Sequence, residues 1–175
     1  MKTALLLALP LTLAATALAH DGEHTHSPDG YYVTVDDSTG EARGLVELRE
    51  VDGELKGFLR GTFAEGEDMS GTCITCSDAL LDQPLYGLPF IWDLEFDKPG
   101  RYKGGRIMDP ESGKTYKSKV KFADDFDTLE LRGYLGSPIL GRTQNWRRAT
   151  PAELDRINAN LAGSGLGPLD TLPIN

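Results

Sequence analysis

Cysteine and histidine are both scarce in this chain of 175 residues, and their positions exclude several kinds of site. The two cysteines are Cys73 and Cys76, so a zinc ribbon, which needs a second cysteine pair, is excluded. The three histidines all precede residue 30. The remainder of the chain therefore cannot supply a Ser-His-Asp or Cys-His catalytic set, and we predict no catalytic residues.

An excess of positive charge is also missing. Lys and Arg total 18 against 27 Asp and Glu, which gives a formal net charge of −9. A negative field of that size opposes nucleic acid or an anionic membrane as partner. The paired carboxylates at 36–37 and 124–125 fall in predicted turns, where Asp is favoured for its local hydrogen bonds rather than for acid–base chemistry.

A long apolar run occurs once, in residues 1–19, which read MKTALLLALPLTLAATALA. Lys2, the Leu and Ala stretch, and the small residues Ala17 and Ala19 are typical of a signal peptide cleaved after Ala19. The run is too short, and lacks the flanking charge, for a transmembrane segment. We expect a periplasmic or secreted protein.

The cysteine pair has the spacing Cys-x-x-Cys, which permits three interpretations. In an oxidising compartment two thiols this close are expected to form a disulfide. A thioredoxin-type redox centre would need a helix of a βαβ unit after Cys73, but strand patterns flank the pair on both sides. We therefore predict a structural disulfide between Cys73 and Cys76, with redox and metal roles as alternatives.

The histidines lie in a polar tip, residues 20–29. If cleavage follows Ala19, His20 offers its amine and its ring, and His24 and His26 add nitrogen ligands suited to copper, nickel or zinc. The simpler interpretation is a flexible, solvated terminus, so we predict no cofactor and keep a metal site as the alternative.

The chain from residue 30 to 149 is predicted to be an antiparallel β meander, because glycine-rich turns separate short runs that alternate apolar and polar residues. A closed barrel would remove the exposed strand edges, and a sandwich is the alternative. Such a barrel is filled by side chains or holds one small ligand. About eight strands are predicted, over residues 30–35, 43–51, 54–63, 88–96, 101–108, 114–122, 128–135 and 139–147.

The hydrophobic period changes after residue 149. Thr150, a following Pro and Glu153 match a capping box, which predicts a C-terminal helix over residues 150–163, packed against the outside of the barrel. Residues 164–175 are predicted to be a tail. On the sixth strand, Lys117, Lys119 and Lys121 alternate with apolar residues and indicate a solvated face.

Two stretches carry a family resemblance. The pattern Asp-Pro-Glu-x-Gly-Lys-x-Tyr is followed by Gly-Arg-Thr-x-x-Trp-x-Arg, and both resemble hallmarks of the secreted proteobacterial family called domain of unknown function 2147, over roughly residues 30–148. The family has no assigned activity and a fold similar to lipocalins. The motif residues are Asp109, Pro110, Gly113, Lys114, Tyr116, Gly141, Arg142, Trp146 and Arg147.

The resemblance also implies a contact that closes the barrel. In calycins an aromatic residue on the first strand packs against an arginine near the end of the last strand. Tyr32 stands in the aromatic position, and Arg142 or Arg147 is the expected partner.

We therefore predict an exported, non-catalytic barrel that binds a small apolar or amphipathic ligand. One alternative is a filled barrel that acts through protein–protein contacts in the cell envelope. A second alternative is metal binding by the N-terminal histidines.

Overall fold

A computed structural model describes residues 27–67 and 69–169 of the chain. Residues 1–19 and the histidines of the tip, on which the export and metal predictions depend, lie outside the described residues. The strands are β1 (Gly30–Val35), β2 (Ala42–Val51), β3 (Glu54–Thr62), β4 (Pro89–Lys98), β5 (Arg101–Met108), β6 (Thr115–Phe122), β7 (Thr128–Tyr134) and β8 (Arg142–Arg148), followed by the helix α1 (Pro151–Gly163).

The eight strands form one closed antiparallel barrel in sequence order. Closure comes from β1 and β8, where Tyr32 lies opposite Arg148 and Thr34 lies opposite Trp146. This confirms the predicted all-β barrel with a C-terminal helix. The eighth strand was predicted from residue 139, which is wrong, because Pro138–Leu140 forms a 3₁₀ turn and the strand begins at Arg142.

Strand alternation sorts side chains between the interior and the outer surface. On β6, Ser118, Val120 and Phe122 are buried while the alternating Lys117, Lys119 and Lys121 are exposed, as the period predicts. We call the end that carries the connections 36–41, 63–88, 109–114 and 135–141 the loop end, and the opposite end the closed end. The interior near the closed end is filled by aromatic rings. Phe122 lies 5.9 Å from Tyr32, 6.1 Å from Tyr102 and 5.2 Å from Phe126, measured between ring centroids.

A second buried cluster lies on the outside of the barrel, beneath α1. Outward-facing Val33 and Leu45 contact a group that includes Ile157 and Leu161 of the helix. Gly61 makes this approach possible, because a Cβ atom there would lie 2.7 Å from Ile157 Cγ2. Among the described residues, no helix has the length and apolar character needed to cross a membrane.

Residues 164–169 continue this outer cluster. Leu169 is 4% exposed, and its carbonyl accepts a hydrogen bond from the Tyr31 hydroxyl at 3.1 Å. The part of the predicted tail that is described therefore packs on the barrel. Beneath this region Glu47 and Arg60 form a buried ion pair at 2.6 Å, and the Arg60 guanidinium lies over the ring of Tyr86.

Candidate functional site: the loop end of the barrel

The closed end is sealed by an aromatic–cation contact. Tyr32 is fully buried, its hydroxyl donates to the Phe126 carbonyl at 3.0 Å, and burial raises its pKa well above the ordinary value. The guanidinium over its ring, 5.0 Å from the centroid, belongs to Arg148. The prediction of Arg142 or Arg147 as the partner is therefore wrong.

Strand register explains this correction. Arg148 lies directly opposite Tyr32 and shares its inward direction, whereas Arg147 alternates to the other face. Arg147 instead pairs with Glu153 of α1 at 2.6 Å. Arg142 lies at the other end of β8, where it pairs with Asp37 at 2.7 Å and ties the β1–β2 connection to the start of the last strand.

The disulfide between Cys73 and Cys76 is present, and both residues are buried against the barrel core. The Thr75 hydroxyl donates to the Pro110 carbonyl at 2.6 Å, and Cys76 Sγ lies 3.7 Å from Met108 Sδ. The small covalent ring therefore fixes the long β3–β4 connection against the β5–β6 turn. This contact was not predicted, because its two sides lie more than thirty residues apart in sequence.

The motif residues of the β5–β6 turn shape that contact surface. Asp109 accepts hydrogen bonds from the Glu111 amide at 3.0 Å and the Ser112 hydroxyl at 2.7 Å, and its amide donates to the Lys114 carbonyl. Gly113 has a φ of 70°, and a Cβ atom there would lie 1.8 Å from the Thr75 carbonyl oxygen. Only glycine meets both requirements.

A group of inward-facing residues at the loop end remains partly exposed, in contrast to the sealed closed end. Its members come from four strands, and we call them the vestibule: Ile107, Tyr116, Gly133 and Gln144. Leu131, which lies opposite Gln144, is 3% exposed, and Trp146, the next inward residue along β8, is 2% exposed. The vestibule residues are therefore partly accessible at the loop end and lie next to a buried apolar floor.

Polar groups in and beside the vestibule are few. The Gln144 side chain accepts from Trp146 Nε1 at 3.4 Å. Ser118, opposite Gly133, is fully buried, and its hydroxyl has no hydrogen-bond partner among the described residues. A buried hydroxyl without a partner costs free energy, so it is a potential donor or acceptor for a molecule that reaches it.

The motif residues of the sequence do not form one site. Tyr116 lines the vestibule, Trp146 lies in the floor, and Gly141 packs against the Gly133 carbonyl, where a Cβ atom would be only 2.5 Å away. Asp109, Pro110, Gly113 and Lys114 build the turn under the disulfide loop, and Arg147 supports the helix. In the parts of the chain that the structure describes, no group of three or more metal-ligating side chains is found.

The closed eight-stranded antiparallel barrel with its C-terminal helix is a lipocalin-like fold. The chain belongs to the family described as "uncharacterized protein conserved in bacteria" (DUF2147), which it matches over residues 30–148. Among solved structures it is similar to protein HP1028 from the human pathogen Helicobacter pylori, which is described as belonging to the lipocalin family. The two share 23% identity, with a TM-score of 0.63, over 77% of this chain and 90% of the other. The chain matches no curated protein.

Proposed function

We propose that this protein is an exported, non-catalytic binding barrel that takes one small amphipathic molecule into the vestibule at its loop end. The observation that carries the proposal is the contrast between the two ends of the interior. Aromatic rings fill the closed end, whereas the inward-facing Ile107, Tyr116, Gly133 and Gln144 are partly exposed at the loop end.

The vestibule residues indicate which kind of ligand would bind. Ile107 and the ring of Tyr116 are partly exposed and offer apolar surface, which favours an aliphatic or aromatic body. Gln144, which is partly exposed, offers hydrogen bonds to a single polar group. The filled closed end limits the depth of the site, so the ligand is small.

Gly133 provides a direct test of this location. A Cβ atom at Gly133 would lie 3.7 Å from both Ile107 Cγ2 and Tyr116 Cβ, which is ordinary contact, so the Cβ atom of Gly133→Val fits, and the melting temperature of this variant checks that the fold is retained. The matched control is Gly163→Val at the end of α1, where a Cβ atom would meet nothing within 4 Å.

The experiment is a fluorescence titration with anilinonaphthalene sulfonate, an amphipathic probe, on the wild type and both variants. We expect saturable, one-site binding to the wild type and to Gly163→Val, and a loss of at least tenfold in affinity for Gly133→Val. Equal binding by all three proteins would favour the alternative of a protein-interaction module with a filled core.

Export is a separate part of the proposal and has its own test. The leader pattern of residues 1–19 and the disulfide between Cys73 and Cys76 both support an oxidising compartment outside the cytoplasm. N-terminal sequencing of the protein recovered from the periplasm or the medium is expected to begin at His20. Recovery of the full-length chain from the cytoplasm alone would contradict export.

A further inference from the structure

Three neighbouring strands concentrate positive charge on the outside of this acidic protein. The outward-facing residues of β5, β6 and β7 include seven of the 18 cationic side chains and, among acids, only Glu130. We call this surface the basic face, and its cations are Arg101, Lys103, Arg106, Lys117, Lys119, Lys121 and Arg132.

The strand register places these cations directly opposite one another. The cross-strand pairs are Arg101 with Lys121, Arg106 with Lys117, and Lys119 with Arg132. Like charges in opposed positions destabilise a sheet, so the arrangement is unfavourable unless neighbouring carboxylates or an external anion offset it.

The protein's own carboxylates compensate this charge only in part. Arg106 pairs with Asp93 at 3.9 Å, Lys121 with Glu130 at 4.0 Å, and Lys103 with Asp97. Within the described parts of the chain, Arg101, Lys117 and Lys119 form no ion pair, although all three are exposed. The basic face therefore attracts anions locally, although the whole chain has a net charge of −9.

An apolar element adjoins the basic face at the loop end. We call it the apolar tip, and it consists of three exposed side chains in the β7–β8 connection: Leu135 at 66%, Ile139 at 85% and Leu140 at 83%. Arg132 of the basic face holds the tip in place. Its guanidinium donates to the Pro138 carbonyl at 2.7 Å, to the Ile139 carbonyl at 3.1 Å and to the Thr143 hydroxyl at 2.7 Å.

We propose that the basic face and the apolar tip together dock this protein onto the surface of a bilayer that contains anionic phospholipid. Dispersed cations with neighbouring apolar side chains match the two layers of such a surface, because lysines contact the phosphates while Ile139 and Leu140 enter the boundary with the acyl chains. Docking does not depend on ligand binding in the vestibule, so either proposal can fail without the other.

The experiment is co-sedimentation of the full chain with vesicles of phosphatidylcholine alone and of phosphatidylcholine mixed with phosphatidylglycerol. We expect binding to the mixed vesicles only, weakened by added salt. The variant Lys117→Gln/Lys119→Gln is expected to lose roughly tenfold or more in partition, because each surface cation adds to the attraction. Ile139→Ser/Leu140→Ser is expected to lose several-fold.

Two matched controls make the result specific. Arg43→Gln/Lys56→Gln removes the same charge from β2 and β3, and Val51→Ser/Ile74→Ser removes two other exposed apolar side chains; both are expected to bind as the wild type does. None of the altered side chains is buried, and all are exposed except that of Lys56, which is partly exposed, so we expect the fold to be retained. The proposal is overturned if the wild type sediments with neither vesicle, if it binds both equally, or if the controls lose as much binding as the test variants.

Discussion

Tyr32 shows how one residue links chain closure to stability. Its ring is fully buried, its hydroxyl bonds to Phe126, and its face receives Arg148 from the last strand. Its aromatic role was predictable from the sequence, whereas its partner was missed by one position. Adjacent residues on a strand point to opposite faces, so a one-residue error in the last strand selects the wrong arginine.

We expect Tyr32→Ala to reduce the free energy of unfolding by about 3–5 kcal/mol, because it leaves a cavity among packed rings and removes the contact with Arg148. Tyr32→Phe keeps the ring and loses only the hydrogen bond to Phe126, at a cost of about 1 kcal/mol. Urea denaturation of the two variants measures both values. Equal losses for both variants would contradict the closing role of the ring.

At the scale of the element, α1 depends on Glu153 at its start. The carboxylate accepts from the Thr150 amide at 2.9 Å and from two Arg147 nitrogens at 2.6 and 2.9 Å. These hydrogen bonds, chiefly those from Arg147, lower the pKa of Glu153 from its ordinary 4.5 to about 2. The helix is thereby connected to the last strand of the barrel, and the capping box that produces this contact was visible in the sequence.

The lowered pKa has a direct consequence for stability. The folded protein binds the Glu153 proton more weakly than the unfolded chain, so the contribution is complete above pH 4.5 and is lost as the pH falls toward 2. We expect Glu153→Gln to destabilise the protein by about 1–2 kcal/mol at pH 7, after allowing for solvent screening, and by much less near pH 2.5. Urea titrations at the two pH values test this, and a loss that does not depend on pH would contradict it.

The disulfide loop is the second element with a testable role. Replacing both cysteines by alanine removes a covalent ring that stabilises by about 2 kcal/mol in the chain-entropy model, and we expect a lower melting temperature with the barrel intact. Thiol titration of the protein purified without reductant is expected to find no free thiol. Turnover in an insulin-reduction assay that requires Cys73 and Cys76 would contradict the structural role.

At the scale of the whole molecule, period and turn spacing were sufficient to predict the barrel but not its accessible end. Strands β6 and β7 were predictable from the alternation of residues alone, since one face of each is charged and the other apolar. The vestibule combines Ile107, Tyr116 and Gln144 from three strands, and only closure brings them together. The packing of Leu169 was not predicted, because residues 164–169 are rich in Gly and Pro, a composition typical of an unstructured tail.

The central claim is that a small amphipathic molecule binds inside the loop end. The most direct measurement is a titration of isotope-labelled protein with anilinonaphthalene sulfonate, followed residue by residue in nitrogen–proton correlation spectra. We expect saturating shifts concentrated at Ile107, Tyr116, Gly133 and Gln144, with little change around Tyr32 at the closed end. Shifts confined to the outer surface, or no saturable shift at all, would contradict it.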